Sequence, residues 1–440
     1  MKAAPALALL LVLSLLAPRH ALPAGLTPEE RRIAASVDRQ TPAALALLER
    51  AVNLNSGTMN FEGVRAVAEC FRPGFEDLGF KTRWIDGAAW GRAGHFVARR
   101  DGRAGAPKIL LIGHLDTVFE KDSPFQRFER LSGSSARGPG VIDMKGGNVI
   151  MLTALRALAD VGLLNRISIT AMLTGDEEHS GEPLELARRD LVEAAEWADF
   201  AIGFEDGDGD PRHVVIARRG AGGWVLHVSG QPAHSSLIFR DEIGSGAVYE
   251  AARILAAFHD SLSHEPYLTV NPGAIVGGTA VTFDENENRG TAFGKNNVIA
   301  ESTLVSGDLR TLSVAQREWA KAAMRRIVAA SPPHAGASIE FDDGYPPLAP
   351  SEGNRRLLAM VDAASRDLGL GPVEPVDPAR AGAADVSFAE GHVEMAIDAM
   401  GLKGEGGHTV KETADLTTLG VQAKRTAVVL ARLIRNVRAR

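Results

Sequence analysis

Cysteine occurs once in the 440-residue chain, as Cys70. That excludes an intrachain disulfide, and any metal site must rely mainly on histidines and carboxylates. Cys70 lies in the helical pattern "FEGVRAVAECF", where a packed role is expected of it. Long basic runs are also missing, and the net charge is −7. Neither nucleic acid nor an anionic membrane surface suits such a chain as a partner. Internal repeats and low-complexity segments are absent from the sequence as well.

What is present is ordinary for a soluble globular protein: 45% hydrophobic and 23% charged residues. The length exceeds one comfortable core, so two domains are expected. The first 24 residues, "MKAAPALALLLVLSLLAPRHALPA", carry one lysine, an apolar stretch from Ala6 to Ala17, then small residues and proline. They read as a secretory signal peptide, which places the mature protein in the periplasm or outside the cell. An uncleaved anchor is the alternative, and the apolar stretch is short for a span.

From about residue 40, helical patterns alternate with short apolar runs: "KILLIG", "ISITAMLTG", "DFAIGF" and "VEMAIDAMG". Helices are expected over 147–161, 183–196 and 414–435; in the last, Ala423, Ala427, Leu430 and Ile434 share one face. The pattern predicts an α/β domain with its sheet covered by helices on both faces. Residues 220–332 differ. They read as strand, helix, two strands and a second helix, with "ASIEFDD" as a closing strand. That is the order of a ferredoxin-like α+β unit inserted into the larger domain. The expected division is 1–24 signal peptide, 25–219 and 333–440 catalytic domain, and 220–332 inserted domain.

Strands of the larger domain tend to end in an acid or a histidine. "ILLIG" runs into His114, with Asp116 two residues on, and "SITAMLTG" into Asp176, Glu177 and Glu178. "DFAIGF" runs into Glu205, Asp143 precedes a helix in "GPGVIDMKGG", and His408 sits in the glycine-rich "GLKGEGGHT". Each alone has an ordinary reading as a solvated acid, a helix cap or a packed histidine. Ligands of open α/β sheets bind at the carboxyl ends of strands, and the ordinary readings do not predict two histidines and three acids on that one edge. Three carboxylates and one hydroxide balance two divalent cations, if one carboxylate bridges. Oxygen and nitrogen donors without thiolate suit Zn2+, with Co2+ or Mn2+ as alternatives. Two such cations acidify a shared water and polarise a carbonyl.

At this point the chain resembles the M20 metallopeptidases, which include glutamate carboxypeptidases, aminoacylases and related amidohydrolases. The matching stretches, in family order, are "GHLDTV", "GPGVIDMKGG", "TGDEEHSG", "GFED", "GQPAHSS", "NNVIAESTLVSGDLR" and "GGHT". The resemblance implies a zinc-peptidase-like catalytic domain with a lid and dimerisation domain inserted, and two Zn2+ per subunit. By it, His114 and Glu205 hold one zinc, Glu178 and His408 the other, and Asp143 bridges them. Asp116 orients His114. A cis peptide follows the bridging acid, at Asp143–Met144. Neighbouring residues in extended chain point opposite ways, so Glu177 faces away from Glu178, toward the attacking water, as general base. His234, in "GQPAHSS", reaches the active site of a partner subunit in a homodimer and stabilises the oxyanion. Arg310 and Asn297 bind the substrate's carboxylate.

Two positions depart from the family pattern. Ala300 stands where proline often follows "NxI", and "GAAD" at 382–385 replaces a "GG" loop, which puts Ala383 near the substrate end of the pocket. The reaction expected is hydrolysis of an amide to an amino acid with a free carboxylate, in a small peptide or an N-acyl amino acid. An aminoacylase or a dipeptidase is the alternative enzyme. A metal-stabilised binding protein would lack the base or a ligand, and a solute-binding protein gives no reason for the five metal-type residues.

Overall fold

The strands Lys108–His114 and Ser168–Thr174 carry apolar residues on both faces, and the reason is burial on both. The computed structural model describes residues 25–284 and 288–436; the expected signal peptide, 1–24, lies outside the described residues. Six strands form the larger sheet, in the order Lys81–Asp86, Gly94–Arg100, Ser168–Thr174, Lys108–His114, Phe200–Gly203, Met395–Ile397. The last four run parallel and Gly94–Arg100 runs antiparallel to both its neighbours, so the sheet is mixed. Period-two alternation sorts the side chains. Ile109, Leu111, Ile169 and Ala171 join a core built with the helices Pro28–Val52, Phe61–Glu76, Gly146–Asp160, Glu352–Asp367 and Thr417–Asn436. Leu110, Ile112 and Met172 face the other way, against Leu191 and Ala195 of the helix Leu184–Trp197. Among the described residues no helix is long and apolar enough to cross a membrane.

A second, four-stranded antiparallel sheet has the order Thr269–Gly278, Ser302–Thr311, Gly220–Gly230, Ala335–Tyr345. Trp224, Leu226 and Val228 alternate inward from it onto the helices Gly246–Leu262 and Val314–Ala329. The boundary expected at 332 falls short, because the strand Ala335–Tyr345 pairs with Gly220–Gly230 and carries the smaller sheet on to Tyr345. A turn at Lys295–Val298 precedes the strand Ser302–Thr311. The hairpin Ala280–Asp284/Arg289–Phe293 was not anticipated.

The helix Pro28–Val52 also began earlier than the sequence reading placed any element. Its start was legible: Thr27 accepts from the Glu30 amide, and Glu30 returns a bond to the Thr27 amide, with Pro28 at the first helical position. Glu30 is buried and also binds Arg432, at 2.9 Å, and Arg435, so it fastens this helix to the C-terminal one.

Burial alone would raise the Glu30 carboxyl; bonds from Arg432, the Thr27 amide and Arg435 outweigh it and hold the group down at about 2. A depressed carboxyl contributes stability above its unfolded value near 4.5 and loses it as pH falls toward 2. Glu30→Gln is therefore expected to cost on the order of 2 kcal/mol at pH 7. Urea titrations of both proteins should show the difference shrinking as pH falls below about 4.5. A difference that is constant down to pH 3 would contradict the assignment.

Candidate metal centre

Three adjacent parallel strands deliver the chemistry. Lys108–His114 ends in His114 itself, Ser168–Thr174 leads into the Asp176–Glu178 turn, and Phe200–Gly203 leads into Glu205. All three groups therefore emerge on one sheet edge, at the carboxyl ends. Asp143 comes to the same edge from the segment Val141–Lys145, and its peptide bond to Met144 is cis, as the resemblance implies. His408 arrives on a turn between the short strands Gly404–Glu405 and Thr413–Asp415, at φ 61°. That left-handed conformation is uncommon for a residue with a side chain.

His114, Asp143 and Glu178 each offer a ligand atom, and these atoms lie within 4.8 Å of one another. His114 Nε2 is 3.0 Å from Asp143 Oδ1 and 3.5 Å from Glu205 Oε1. His408 Nε2 is 2.8 Å from Asp143 Oδ2 and 3.1 Å from Glu178 Oε2. All five residues expected as ligands thus come together.

Asp116 does more than the orienting role expected of it. His114 Nδ1 lies 3.1 Å from its carbonyl oxygen and 3.3 Å from its Oδ1, which leaves Nε2 as the nitrogen facing the cluster. The same carboxylate accepts from Thr58 Oγ1 at 2.7 Å and from the amides of Glu177 and Glu178, each at 3.1 Å. The separation of Glu177 from Glu178 was expected from strand alternation, and that reason does not hold. The strand stops at Thr174 and both glutamates stand on a turn, fixed by their amides on Asp116.

The charges are unbalanced without cations. Burial raises Glu177, Glu178 and Glu205, and the neighbouring carboxylates raise them further. Burial would lower His114, but Glu205, Asp116 and Asp143 outweigh it and raise the imidazole. Hydrogen bonds to Asp143 and Glu178 push His408 up to about 11. Crowded carboxylates and imidazoles of this kind are groups on which cations can take the place of protons. The oxygen and nitrogen donor set fits divalent metal.

Several supporting residues were missed by the sequence reading. Glu412, fully buried, accepts from the amides of Gly140 and Ile142 at 2.9 Å and of Asp143 at 3.3 Å, so it holds the segment that presents Asp143. Asp398 accepts from the Glu205 amide at 3.1 Å and from Arg218 Nη2 at 2.8 Å. Arg188 lies between Asp176, at 2.7 Å, and Asp385, at 2.8 Å. Asp398 follows the strand Met395–Ile397, so the rule that found Glu205 could have found it. Arg188, Arg218 and Glu412 carry no local signal.

The remaining expected residues lie on the smaller sheet. His234 is exposed and its Nδ1 is 2.9 Å from Ser236 Oγ. It sits beside Asn297, whose carbonyl accepts from the Ser235 amide, through a bridge to Val298. Arg310 binds Asp308 at 2.9 Å. Arg310 pairs with Ala221 and Ser302 with Ser229, at opposite ends of the sheet. At about 3.3 Å per residue the strand between Ser302 and Arg310 spans roughly 26 Å. One chain therefore holds Arg310 and Asn297 toward opposite ends of the smaller sheet.

Comparison with known proteins agrees with this geometry. Carboxypeptidase G2 of Pseudomonas sp. (strain RS-16) is 27% identical over 413 residues, covering 92% of this chain and 91% of that one. The crystal structure of aminopeptidase PepT from Bacillus cereus superposes with a TM-score of 0.67 at 19% identity, covering 89% of this chain and 98% of that one. The M20 family metallo-carboxypeptidase Sso-CP2 from Sulfolobus solfataricus gives 0.61 at 16% identity, covering 89% and 99%. Both likenesses concern the fold. The pattern of peptidase family M20/M25/M40 matches residues 110–436, and the chain belongs to that family, as a metal-dependent hydrolase of amide or peptide bonds.

Proposed function

We propose that the protein is an exported, dinuclear zinc carboxypeptidase or amidohydrolase, acting on amides whose amine side is an amino acid with a free carboxylate. The observation that carries this reading is Asp143, whose Oδ1 faces His114 at 3.0 Å and whose Oδ2 faces His408 at 2.8 Å. A carboxylate presented to two imidazoles suits a bridge, with His114 and Glu205 on one side and Glu178 and His408 on the other. Zn2+ fits this donor set, as do Co2+ and Mn2+. When bound, two such cations polarise the amide carbonyl and acidify the attacking water. Glu177 takes a proton from that water and gives it to the leaving nitrogen, a task its raised carboxyl suits. Carboxypeptidase G2, at 27% identity, supports the carboxypeptidase reading by its name.

The smaller sheet, with two helices on one face, is read as a ferredoxin-like lid and dimerisation unit. Arg310 stands at the end of that sheet next to the larger domain, and is read as the carboxylate clamp of its own site. His234 and Asn297 stand at the far end and are read as serving the site of a second copy. Export follows from residues 1–24, and fractionation of cells expressing the full chain tests it.

Glu177→Gln should keep wild-type metal content and lose at least ~10²-fold in kcat, the scale of positioned acid–base catalysis. Glu178→Gln should lose metal, and full occupancy there would remove Glu178 from the ligand set. On a panel of N-acyl amino acids and dipeptides, Arg310→Ala should raise KM for free acids and leave the matching amides unchanged. Equal losses on acids and amides would make Arg310 structural.

His234→Ala and Glu177→Ala homodimers should each be nearly inactive. If His234 acts across the dimer, a mixed dimer carries one complete site. Co-expression with random pairing should then restore about a quarter of wild-type activity. Mixed dimers, confirmed by tag capture, that are as inactive as their parents would reject the assignment across subunits.

A further inference from the structure

The chain enters the smaller sheet after Arg219 and leaves it at Tyr345, so two segments form a neck. Arg218 and Leu348 exchange backbone hydrogen bonds of 2.9 and 3.0 Å across it. Gly220 permits the crossing, since a Cβ there would lie 2.8 Å from both Tyr345 O and Pro347 N. Tyr345 pairs with Ala221 in the smaller sheet, yet its side chain belongs to the metal centre's surroundings. Its ring stands edge-on to Phe388 at 5.0 Å. Its hydroxyl accepts from Arg188 Nη2 and lies 2.9 Å from Ser180 Oγ and 3.3 Å from the Glu177 carbonyl oxygen.

The proton on that hydroxyl can be assigned. Arg188 can only donate and the Glu177 carbonyl can only accept, so Tyr345 donates to Glu177, and Ser180 donates to Tyr345. Arg188 cannot follow a displacement freely, being fixed at 2.7 Å to Asp176 and 2.8 Å to Asp385. The backbone of Glu177 is thus held on both sides of its Cα. Asp116, on the larger sheet, takes its N–H at 3.1 Å, and Tyr345, from the smaller sheet, takes its carbonyl.

We propose that Tyr345 is a positioning residue through which the smaller sheet sets the aim of the Glu177 carboxylate. The proposal rests on the reading of Glu177 as the base. It makes the placement of the smaller sheet a condition of turnover, apart from any contact that sheet makes with substrate.

The test is Tyr345→Phe in the metal-loaded full chain, which removes the hydroxyl and keeps the ring on Phe388. Metal content and KM should stay at wild-type values while kcat falls on the order of tenfold, the cost of a misaimed group. Phe388→Leu, which loosens the ring contact and keeps the hydroxyl, should lower the melting midpoint more than it lowers kcat. If Tyr345→Phe also melts earlier, rates are read below its midpoint per metal-loaded protein, and the same kcat and KM split decides. The double variant Glu177→Gln/Tyr345→Phe should be no slower than Glu177→Gln, because the hydroxyl then has no base to aim. Unchanged kcat in Tyr345→Phe overturns the proposal, as does a loss that multiplies in the double variant. Unchanged kcat in Glu177→Gln alone overturns the base assignment instead.

Discussion

The carboxylate of Asp116 has no exposed surface, and a buried charge of that kind persists only when its oxygens are fully hydrogen-bonded. Thr58, the amides of Glu177 and Glu178, and the His114 ring meet that demand. Each partner is thereby located. The imidazole must present Nε2 to the cluster, and the turn after Thr174 must bring two peptide N–H groups to one point. Because these bonds join the ends of two neighbouring parallel strands, the spacing between candidate ligand and candidate base is set by the strand register. His114 lies opposite Thr174 in that register. Removing the Asp116 carboxylate would leave two buried amides unpaired, at about 1–3 kcal/mol each, and free the imidazole to turn.

The cluster that this frame presents is out of electrostatic balance by itself. Glu177, Glu178, Glu205 and Asp143 are gathered around the buried His114 and the exposed His408, and both imidazoles hold the Asp143 carboxyl down. Burial outweighs this help for the three glutamates and raises their carboxyls. Divalent cations held by these residues would remove the conflict by taking the place of protons on the ligands, with Glu177 read as the group left to exchange protons. Stability is given up locally for such an arrangement, and the surrounding frame supplies it: Glu412 on the Asp143 segment, Asp398 on Glu205, Arg188 on Asp176.

Residues placed by a local rule were legible in the sequence. His114 and Glu205 follow apolar runs whose length and flanks mark buried parallel strands, and the carboxyl-edge rule does the rest. His408 and Asp143 were legible through their glycine-rich surroundings together with the family likeness. The alternation expected to separate the two glutamates does not apply, because a turn and not a strand carries them. Arg188 and Asp385 are 197 residues apart and Arg218 and Asp398 180, so no window of sequence holds both members of either pair. The boundary at 332 was set too early for the closing strand "ASIEFDD", whose pairing with Gly220–Gly230 carries the smaller sheet past it. The separation of Arg310 from Asn297 is likewise a property of register, invisible until the strands are aligned.

The departure at "GAAD" takes on a definite meaning in this frame. Gly382 offers its carbonyl to Arg218 at 2.8 Å, and Asp385 binds Arg188 and Thr174 at 2.8 and 2.6 Å. The loop is therefore pinned at both ends, one end leading to Glu205 through Asp398 and the other to the Glu177 turn through Asp176. Ala384 is buried between these anchors, while Ala383 is only half-buried. A methyl group at 383 therefore changes the surface between two fixed points without moving either. Variation there alters what the surface meets and leaves the frame of the cluster intact, so one stretch of four residues can serve both the frame and the surface beside it.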